Sequence, residues 1–288
     1  MKTKQQGFIF ALISSCTFGT IPFFSLPILE AGMNVGSMLT YRFIISTVCL
    51  LLMAVVCGQN VRINLKEFGQ ISILALLYDA SAVTMIHGYE FMPSGIATTI
   101  QFSYPIFTPI IMFLVFREKI GWRTILAIAL AVLGVMALSS SEGTSGTIAA
   151  VGIVLELLAG LTYAIYLVLI PHMSIRTMDS SKLTFYVFLM STVYMALYAM
   201  CIGGLQPAPS ASVWIWLFLL GLIPTAVSNI TLTLSLKRIG STLSAILGAL
   251  EPLTAMVLGI AVMGEPFTAL IGVGFVAIIA AVMLLVVK

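Results

Sequence analysis

Four ionisable side chains interrupt segments of this sequence that are otherwise apolar. They are Arg42, Asp79, Glu156 and Glu251. A charged group inside a lipid bilayer is costly unless it has a partner or a wet cavity, and such groups mark ion, proton and substrate pathways. The chemistry that these residue types support is therefore binding and proton exchange within a membrane.

Glu251 is the most informative of the four because a proline follows it directly, in Ala249-Leu250-Glu251-Pro252. Proline donates no backbone hydrogen bond and frees a carbonyl one turn earlier. Pro105 stands within another apolar segment, and interrupted helices at corresponding positions mark the binding centre of many transporters. We expect helix breaks at Pro105 and Pro252. Glu251 is then either a proton or cation site or a paired carboxylate that holds the helix.

The other ionisable residues each allow more than one interpretation. Asp79 is either a substrate or proton site or a carboxylate paired internally, for example with Arg42. Arg42 is either an ion-pair strut or an attractor for anionic substrate groups. Glu156 lies one turn into its segment, where a helix N-terminus favours an anion. His87 lies near a membrane face, where we expect an interfacial histidine.

Uncharged polar groups add to the candidate site. Gln101, Tyr104 and Thr108 are spaced three and four residues apart and share one helix face. Amides are hard to hide in lipid, and tyrosine rings stack on a ligand or hydrogen-bond to it. The predicted substrate-binding set is Tyr78, Asp79, Gln101, Tyr104, Tyr163, Tyr166, Asn229 and Glu251, with Glu251 and Asp79 as the candidates for proton coupling.

Composition indicates which elements must position these residues. The chain has 288 residues, of which 60% are hydrophobic and 8% charged, with a mean hydropathy of +1.16. A soluble domain is about 25% charged, and a membrane span needs roughly 20 apolar residues. We predict an all-α polytopic membrane protein, because helices satisfy their own backbone groups in lipid. Its ten predicted spans are 7–26, 37–57, 69–89, 94–115, 121–139, 151–171, 183–203, 213–235, 241–262 and 268–287.

Basic residues orient the predicted spans. All of them except Arg42 fall in alternate segments, either beyond the predicted spans or in the first residues of one: Lys2, Lys4, Arg62, Lys66, Arg117, Lys119, Arg123, Arg176, Lys182, Lys237, Arg238 and Lys288. The opposite loops hold Glu30, Glu90, Glu142 and Glu265. The positive-inside rule then places both termini in the cytoplasm.

The two halves of the chain resemble each other. An offset of 147 residues aligns Pro105 with Pro252 and Glu118 with Glu265, and an offset of 145 aligns Gly7 with Gly152. Each half holds five predicted spans, and an odd number inverts the second half relative to the first. We therefore predict two inverted five-helix repeats, residues 1–140 and 141–288.

Several other kinds of chemistry are not expected. The sequence contains neither a G-x-x-x-x-G-K-[ST] phosphate loop nor an H-E-x-x-H motif, and its four cysteines lack CxxC spacing. No basic patch is interleaved with aromatic residues, so nucleic acid is not an expected partner. We predict no enzymatic activity, no cofactor and no metal site.

Short motifs complete the pattern. Tyr41-Arg42-Phe43 opens the second span, Leu250-Glu251-Pro252 lies in the ninth, and Gly264-Glu265-Pro266 follows it. With ten spans in two inverted repeats, the sequence resembles the EamA branch of the drug/metabolite transporter superfamily over nearly its whole length. The first half departs from the second, because Tyr104-Pro105 replaces Glu-Pro and Arg117-Glu118-Lys119 replaces Gly-Glu-Pro. A symmetric pair of membrane carboxylates is therefore absent.

The resemblance implies a secondary transporter of the bacterial inner membrane. Such a protein exports small metabolites, such as amino acids, by alternating access around a cavity between spans one, three, four, six, eight and nine. Its partners would be a small-molecule substrate and the lipid bilayer. Small residues in spans five and ten, such as Ala127 and Gly134, suit close packing or a homodimer face. The alternative is a non-transporting membrane scaffold or sensor subunit.

Overall fold

The computed structural model describes residues 2–56, 62–88, 90–91, 97, 100–139, 150–263 and 268–286. Every regular element within these ranges is helical. The Gly264-Glu265-Pro266 motif and the predicted boundary between the two halves, at residues 140 and 141, lie outside the described residues. The all-helical architecture agrees with a polytopic membrane protein.

The helices follow one another with short connections. Their bounds are α1 Lys2–Phe18, α2 Ile21–Glu30, α3 Val35–Val56, α4 Leu65–Gly88, α5 Tyr104–Phe116, α6 Trp122–Ser139, α7 Ala150–His172, α8 Ser180–Cys201, α9 Ala211–Gly221, α10 Ser228–Ile239, α11 Ser241–Leu247, α12 Leu250–Met263 and α13 Ala269–Val286. A 3₁₀ turn at Ser174–Thr177 precedes α8, and a π-helical segment at Leu222–Val227 joins α9 to α10.

Side-chain caps begin several of these helices. Asn64 and Glu67 form a reciprocal pair at the start of α4, where each side chain accepts a hydrogen bond from the other residue's backbone N–H. Asp179 accepts from the backbone of Ser181 and Lys182 at the start of α8. Such caps satisfy N–H groups that have no partner within the helix.

The structure interrupts predicted spans at more places than Pro105 and Pro252. The predicted span 7–26 is divided at Gly19 and Thr20, between α1 and α2. The predicted span 213–235 contains the π-helical segment, in which Pro224 lacks a backbone donor. The predicted span 241–262 divides at Gly248 and Ala249, one turn before Pro252, and α5 begins at Tyr104 with Pro105 in its first turn.

The helix surfaces are suited to lipid. Six helical segments of the described chain are long and apolar enough to cross a membrane: Thr3–Glu30, Val35–Val56, Leu65–Gly88, Ala150–His172, Ser180–Cys201 and Ala211–Ile239. Shorter apolar helices include Tyr104–Phe116 and Trp122–Ala137. Large apolar side chains such as Val56, Leu114 and Val276 lie exposed on the outside. A soluble fold would leave this surface in contact with water, which is unfavourable.

Four helix pairs make the most extensive contacts. They are α3 with α8, α4 with α7, α1 with α10, and α6 with α13. Every pair joins a helix from the first half of the chain to one from the second, so the two halves interdigitate in one bundle. Small residues allow the closest approaches: Gly36 of α3 packs against Ala199 of α8, and Gly134 of α6 against Ile278 of α13.

Candidate functional site

The helix interruptions bring three chain segments together at the centre of the bundle. Gly19 stands between α1 and α2, and a Cβ atom there would overlap the main-chain oxygen of Glu251. Gly248 stands in the turn before α12, and a Cβ atom there would overlap the Tyr104 hydroxyl. Only glycine leaves room for these approaches, so the interruptions of the first, fourth and ninth predicted spans meet at Tyr104 and Glu251.

One polar contact joins the beginnings of α5 and α12. The Tyr104 hydroxyl donates a hydrogen bond to Glu251 Oε1 at 3.0 Å. Tyr104 is buried, and Glu251 lies in the first turn of its helix. The two residues are 147 positions apart in the chain, which is the offset that aligns Pro105 with Pro252. The contact therefore joins residues that the predicted repeat aligns with each other.

Aromatic rings form a continuous cluster beside this contact. Tyr163 meets Tyr104 edge to face, with ring centroids 5.0 Å apart, and stacks on Tyr166 at 5.9 Å. Tyr78 meets Tyr166 at 5.4 Å. Phe18, next to the break between α1 and α2, stacks on Tyr163 at 5.9 Å. The four tyrosines predicted from the sequence therefore lie in one cluster.

Two small cavities adjoin the aromatic cluster and share Phe18, Ile21, Met85 and Gln101. The first, of about 10 Å³, is also lined by Arg42, Tyr78 and Tyr163. The second, of about 30 Å³, is also lined by Glu251. One cavity thus has a guanidinium group in its wall and the other a carboxyl group. A single water needs about 10–15 Å³, so the site is nearly closed in this conformation.

Arg42 is held by the π-helical segment. Its Nε donates to Thr225 Oγ1 at 2.6 Å, and Thr225 Oγ1 donates in turn to the carbonyl of Leu220 at 2.7 Å. Asn229, one turn further along, donates from Nδ2 to the Thr225 carbonyl at 2.9 Å and to the Tyr78 hydroxyl at 3.2 Å. The widened turn thereby connects Arg42 of α3 to Tyr78 of α4.

Comparison with known proteins assigns the family. The profile of the EamA-like transporter family matches residues 5–140 and, separately, residues 150–287. The chain belongs to the EamA-like transporter family. The two matches together cover nearly all of the chain, one on each half.

Individual proteins that resemble this EamA-family protein share less than 30% of its sequence. An uncharacterized transporter of Archaeoglobus fulgidus is 27% identical over 169 residues, which are 58% of this chain and 58% of that protein. The alignment therefore spans less than two thirds of the relative. A crystal structure described only as that of a protein has a TM-score of 0.84 at 13% identity, covering 98% of this chain and 96% of that one. At this identity the likeness concerns the fold alone.

The predicted site residues of this EamA-family protein fall into two groups. Tyr78, Gln101, Tyr163 and Glu251 line the central cavities, while Tyr104, Tyr166 and Asn229 contact residues that do. Asp79 lies apart: its carboxyl group is next to Ser191 of α8. The suggested pairing of Asp79 with Arg42 is not observed, because Arg42 donates to Thr225 and neither Asp79 oxygen accepts a hydrogen bond from a described residue.

Glu156 and His87 lie near one end of the bundle. Glu156 is fully buried, and its carboxyl group packs directly against Gly88 at the end of α4. His87 contacts Glu90 through Nδ1 at 2.9 Å and the Tyr198 hydroxyl through Nε2 at 2.7 Å. This cluster ties α4 to α8 on the side that the charge pattern predicts to be extracytoplasmic.

Larger open cavities lie on opposite sides of the nearly closed centre. One of about 460 Å³ is lined by Asn34, His87 and Glu90 together with apolar residues. The other, of about 490 Å³, is lined by Glu118, Lys119, His172 and Lys237. The first lies on the predicted extracytoplasmic side and the second on the predicted cytoplasmic side.

Sequence reasoning left several lining residues out of the predicted substrate-binding set. Arg42 was assigned two possible roles but not included, and Phe18, Ser81 and Met85 were not singled out as site residues. Phe18 could have been identified from the sequence, because Gly19 after it and Pro22 near the start of α2 indicate a helix interruption at this point. Met85 could not have been identified, since the sequence does not show which way an apolar side chain in a membrane span faces.

Proposed function

We propose that this EamA-family protein is a secondary transporter that exports small zwitterionic metabolites, such as amino acids, by alternating access. The observation that supports this proposal is the adjoining pair of central cavities, with Arg42 in one wall and Glu251 in the other. A guanidinium group pairs with a carboxylate, and a carboxylate with an ammonium group. The aromatic faces of Phe18 and Tyr163 would cover the apolar part of the substrate.

The closed centre is consistent with a substrate that enters only when the helices move apart. The central cavities hold about 10 and 30 Å³, whereas the outer and inner cavities hold about 460 and 490 Å³. Alternating access requires a site that closes between two openings. In this proposal the present conformation is the closed state between outward and inward opening.

We also propose ten spans arranged as two inverted repeats, residues 1–140 and 141–288. The support comes from contacts between corresponding positions. Thr47 lies 3.4 Å from Thr192, at an offset of 145, and Phe43 stacks on Phe188 at the same offset. A two-fold axis brings equivalent residues into contact wherever it passes between them. The family model matches each half separately, which also supports a repeat.

Proton coupling is assigned to Glu251 in this proposal. The carboxyl group lines the substrate cavity, so a proton and a substrate ammonium group would compete for it. Binding of one then releases the other, which exchanges an inward proton for an outward substrate. Tyr104 orients the carboxyl group by its hydrogen bond. The proposal places the protein in a bacterial inner membrane, and the charge pattern supports an orientation with both termini in the cytoplasm.

The test compares the medium of cells that express the wild type, Glu251→Gln and Glu30→Gln at equal levels. Glu30 is an exposed carboxylate at the end of α2 and serves as the matched control. We expect one or more amino acids to accumulate outside with the wild type and Glu30→Gln but not with Glu251→Gln. Equal media for all three strains would contradict export.

Proteoliposomes separate transport from a scaffold role. Isotopically labelled amino acids would be compared with their methyl esters, which lack the carboxylate, and their N-acetyl derivatives, which lack the ammonium group. Uptake or exchange of the zwitterions alone supports the paired cavities. Failure to pass any of these solutes, together with co-purification of a partner protein, would favour the scaffold.

A further inference from the structure

Asp79 carries a carboxyl group that is buried between helices. Only 2% of the residue is exposed, and neither Oδ1 nor Oδ2 accepts a hydrogen bond from a described residue. Moving an ionised carboxylate into such surroundings without donors or a cation is very unfavourable. Some ligand must therefore neutralise the group in this conformation.

Two serine hydroxyls lie at the same junction of α3, α4 and α8. Ser191 is the neighbour of the Asp79 carboxyl group, and Ser46 of α3 corresponds to Ser191 at the offset of 145 residues. The pairs Phe43–Phe188 and Thr47–Thr192 contact each other on either side along these helices, so Ser46 and Ser191 lie between them. Both hydroxyls are fully buried, and neither forms a hydrogen bond with a described residue.

An aromatic layer separates this junction from the substrate cavity. Tyr78, which lines the cavity, packs edge to face against the stacked pair Phe43 and Phe188, at 5.9 Å and 5.4 Å. Asp79 is the next residue of α4 and faces α8. The polar junction of Ser46, Asp79 and Ser191 is therefore distinct from the cavity that holds Arg42 and Glu251.

Other ionisable groups on the helices around Asp79 do not neutralise it. Those on the helices packed against α4 and near this level are Arg42 and Cys49 of α3, Glu156, Tyr163 and Tyr166 of α7, and Tyr186, Tyr194 and Tyr198 of α8. Arg42 is the cation among them, and its Nε is directed to Thr225 of the π-helical segment. Tyr194 bonds to Ser72 and Tyr198 to His87, away from Asp79.

We propose that Ser46, Asp79 and Ser191 form a proton-binding site separate from the substrate cavity. The bound proton makes Asp79 a neutral acid, and the neighbouring Ser191 hydroxyl is the acceptor to which its O–H can donate. No described cavity opens at this junction to hold a dehydrated metal cation, and the available oxygens are fewer than such a cation requires.

Proton release follows from the position of the junction between the two halves. Asp79 and Ser46 belong to the first half of the chain and Ser191 to the second. When α4 and α8 separate, water reaches the carboxyl group, its O–H bond ionises, the proton passes to water and the carboxylate stays hydrated. This step rests on the alternating-access motion of the proposed function, whereas the presence of the proton in the closed state does not.

Infrared spectroscopy of the purified, substrate-free protein tests the site directly. We expect a carboxylic-acid C=O band near neutral pH that disappears in Asp79→Asn and persists in Glu30→Gln. Ser191→Ala keeps the carboxyl group but removes its partner, so the band should move to higher frequency. This variant keeps the test decisive if Asp79→Asn does not fold.

Two outcomes would overturn the site. One is a spectrum in which Asp79→Asn removes only a carboxylate band, which would mean that Asp79 is ionised in the closed state. The other is loss of the acid band on adding sodium at constant pH, which would assign the junction to a metal cation. Neither readout needs transport, so failure here is distinguishable from failure of the amino-acid transport experiments.

Discussion

At the scale of single residues, the candidate site depends on hydrogen bonds between positions far apart in the chain. Tyr104 and Glu251 are 147 residues apart, and Tyr78 and Asn229 are 151 apart. A carboxyl group enclosed by the fold that loses a hydrogen-bond donor costs free energy unless water replaces the missing bond. The local chemistry therefore depends on correct packing of both halves.

Tyr104→Phe removes the donor to Glu251 and keeps the ring. We expect the free energy of unfolding in detergent to fall by about 1–3 kcal/mol, and export to fall with it. Tyr166→Phe is the matched control, since its ring packs against Tyr78 and Tyr163 in the same cluster. Equal stability of Tyr104→Phe and the wild type would argue against this hydrogen bond.

We expect the stability of the fold to depend on pH through Asp179, at the predicted cytoplasmic end of α8. Partial burial acts to raise the pKa of Asp179, but hydrogen bonds from Ser181 and Lys182 and the charge of Lys237 lower it overall. A carboxyl group with a lowered pKa stabilises the fold above its unfolded pKa of about 4, and this contribution disappears as the pH falls through the folded value.

Asp179→Ala should therefore lower the free energy of unfolding by about 1 kcal/mol at neutral pH, through loss of the helix cap. Asp179→Asn should keep much of the cap but lose the change in stability between neutral and strongly acidic pH that the carboxylate provides. Denaturation at several pH values measures both effects. A variant that retained the wild-type pH dependence would show that another group is responsible.

At the scale of elements, the interruptions create the site. Continuous helices would leave Tyr104, Glu251 and Gly19 on separate surfaces, whereas breaks before α2, α5 and α12 let these segments approach closely. The π-helical segment has a corresponding role, since its wide turn directs Thr225 towards Arg42. π-Helical turns of this kind are frequent at functional sites.

Gly248→Ala tests the closest of these approaches. Its new Cβ would overlap the Tyr104 hydroxyl, so we expect the Tyr104–Glu251 contact to be displaced at a cost of about 1–3 kcal/mol. Gly69→Ala is the control, because its Cβ would meet nothing within 4 Å and alanine favours the helix. Export should fall for Gly248→Ala alone; equal loss in both variants would point to a general defect.

At the scale of the whole molecule, some packing contacts join like residues of the two halves, whereas the carboxyl groups within the predicted spans occur in only one half at each position. Phe43 with Phe188 and Thr47 with Thr192 are like pairs across the junction of α3 and α8. Tyr104 faces Glu251, however, and the positions of the second half that correspond to Asp79 hold no carboxyl group. The arrangement provides one carboxyl group at each location rather than two facing each other, which avoids repulsion between like charges in a low dielectric.

Thiol labelling tests the predicted orientation of the molecule. In a background without native cysteines, Pro209→Cys should react with a membrane-impermeant maleimide in intact cells, whereas Lys119→Cys should react only after the cells are opened. Both residues are exposed, and they lie on opposite sides in the charge pattern. Labelling of Lys119→Cys in intact cells would reverse the proposed orientation.

The sequence by itself determined the family resemblance, the helical class and the small set of polar residues that a membrane would single out. Hydropathy and charge depend on composition along the chain, so they can be read without knowing the packing. Most of the tyrosine and amide candidates could be identified for the same reason, since few polar groups occur in these segments.

Tertiary structure decided which of those residues share a site. Asp79 and Tyr78 are adjacent in sequence, yet the Asp79 carboxyl group lies next to Ser191 of α8 and Tyr78 lines the cavity. The rotation of a helix that is apolar all round is set by its neighbours, and so are the breaks at Gly19 and Gly248. These depend on contacts between residues more than a hundred positions apart, which no local pattern records.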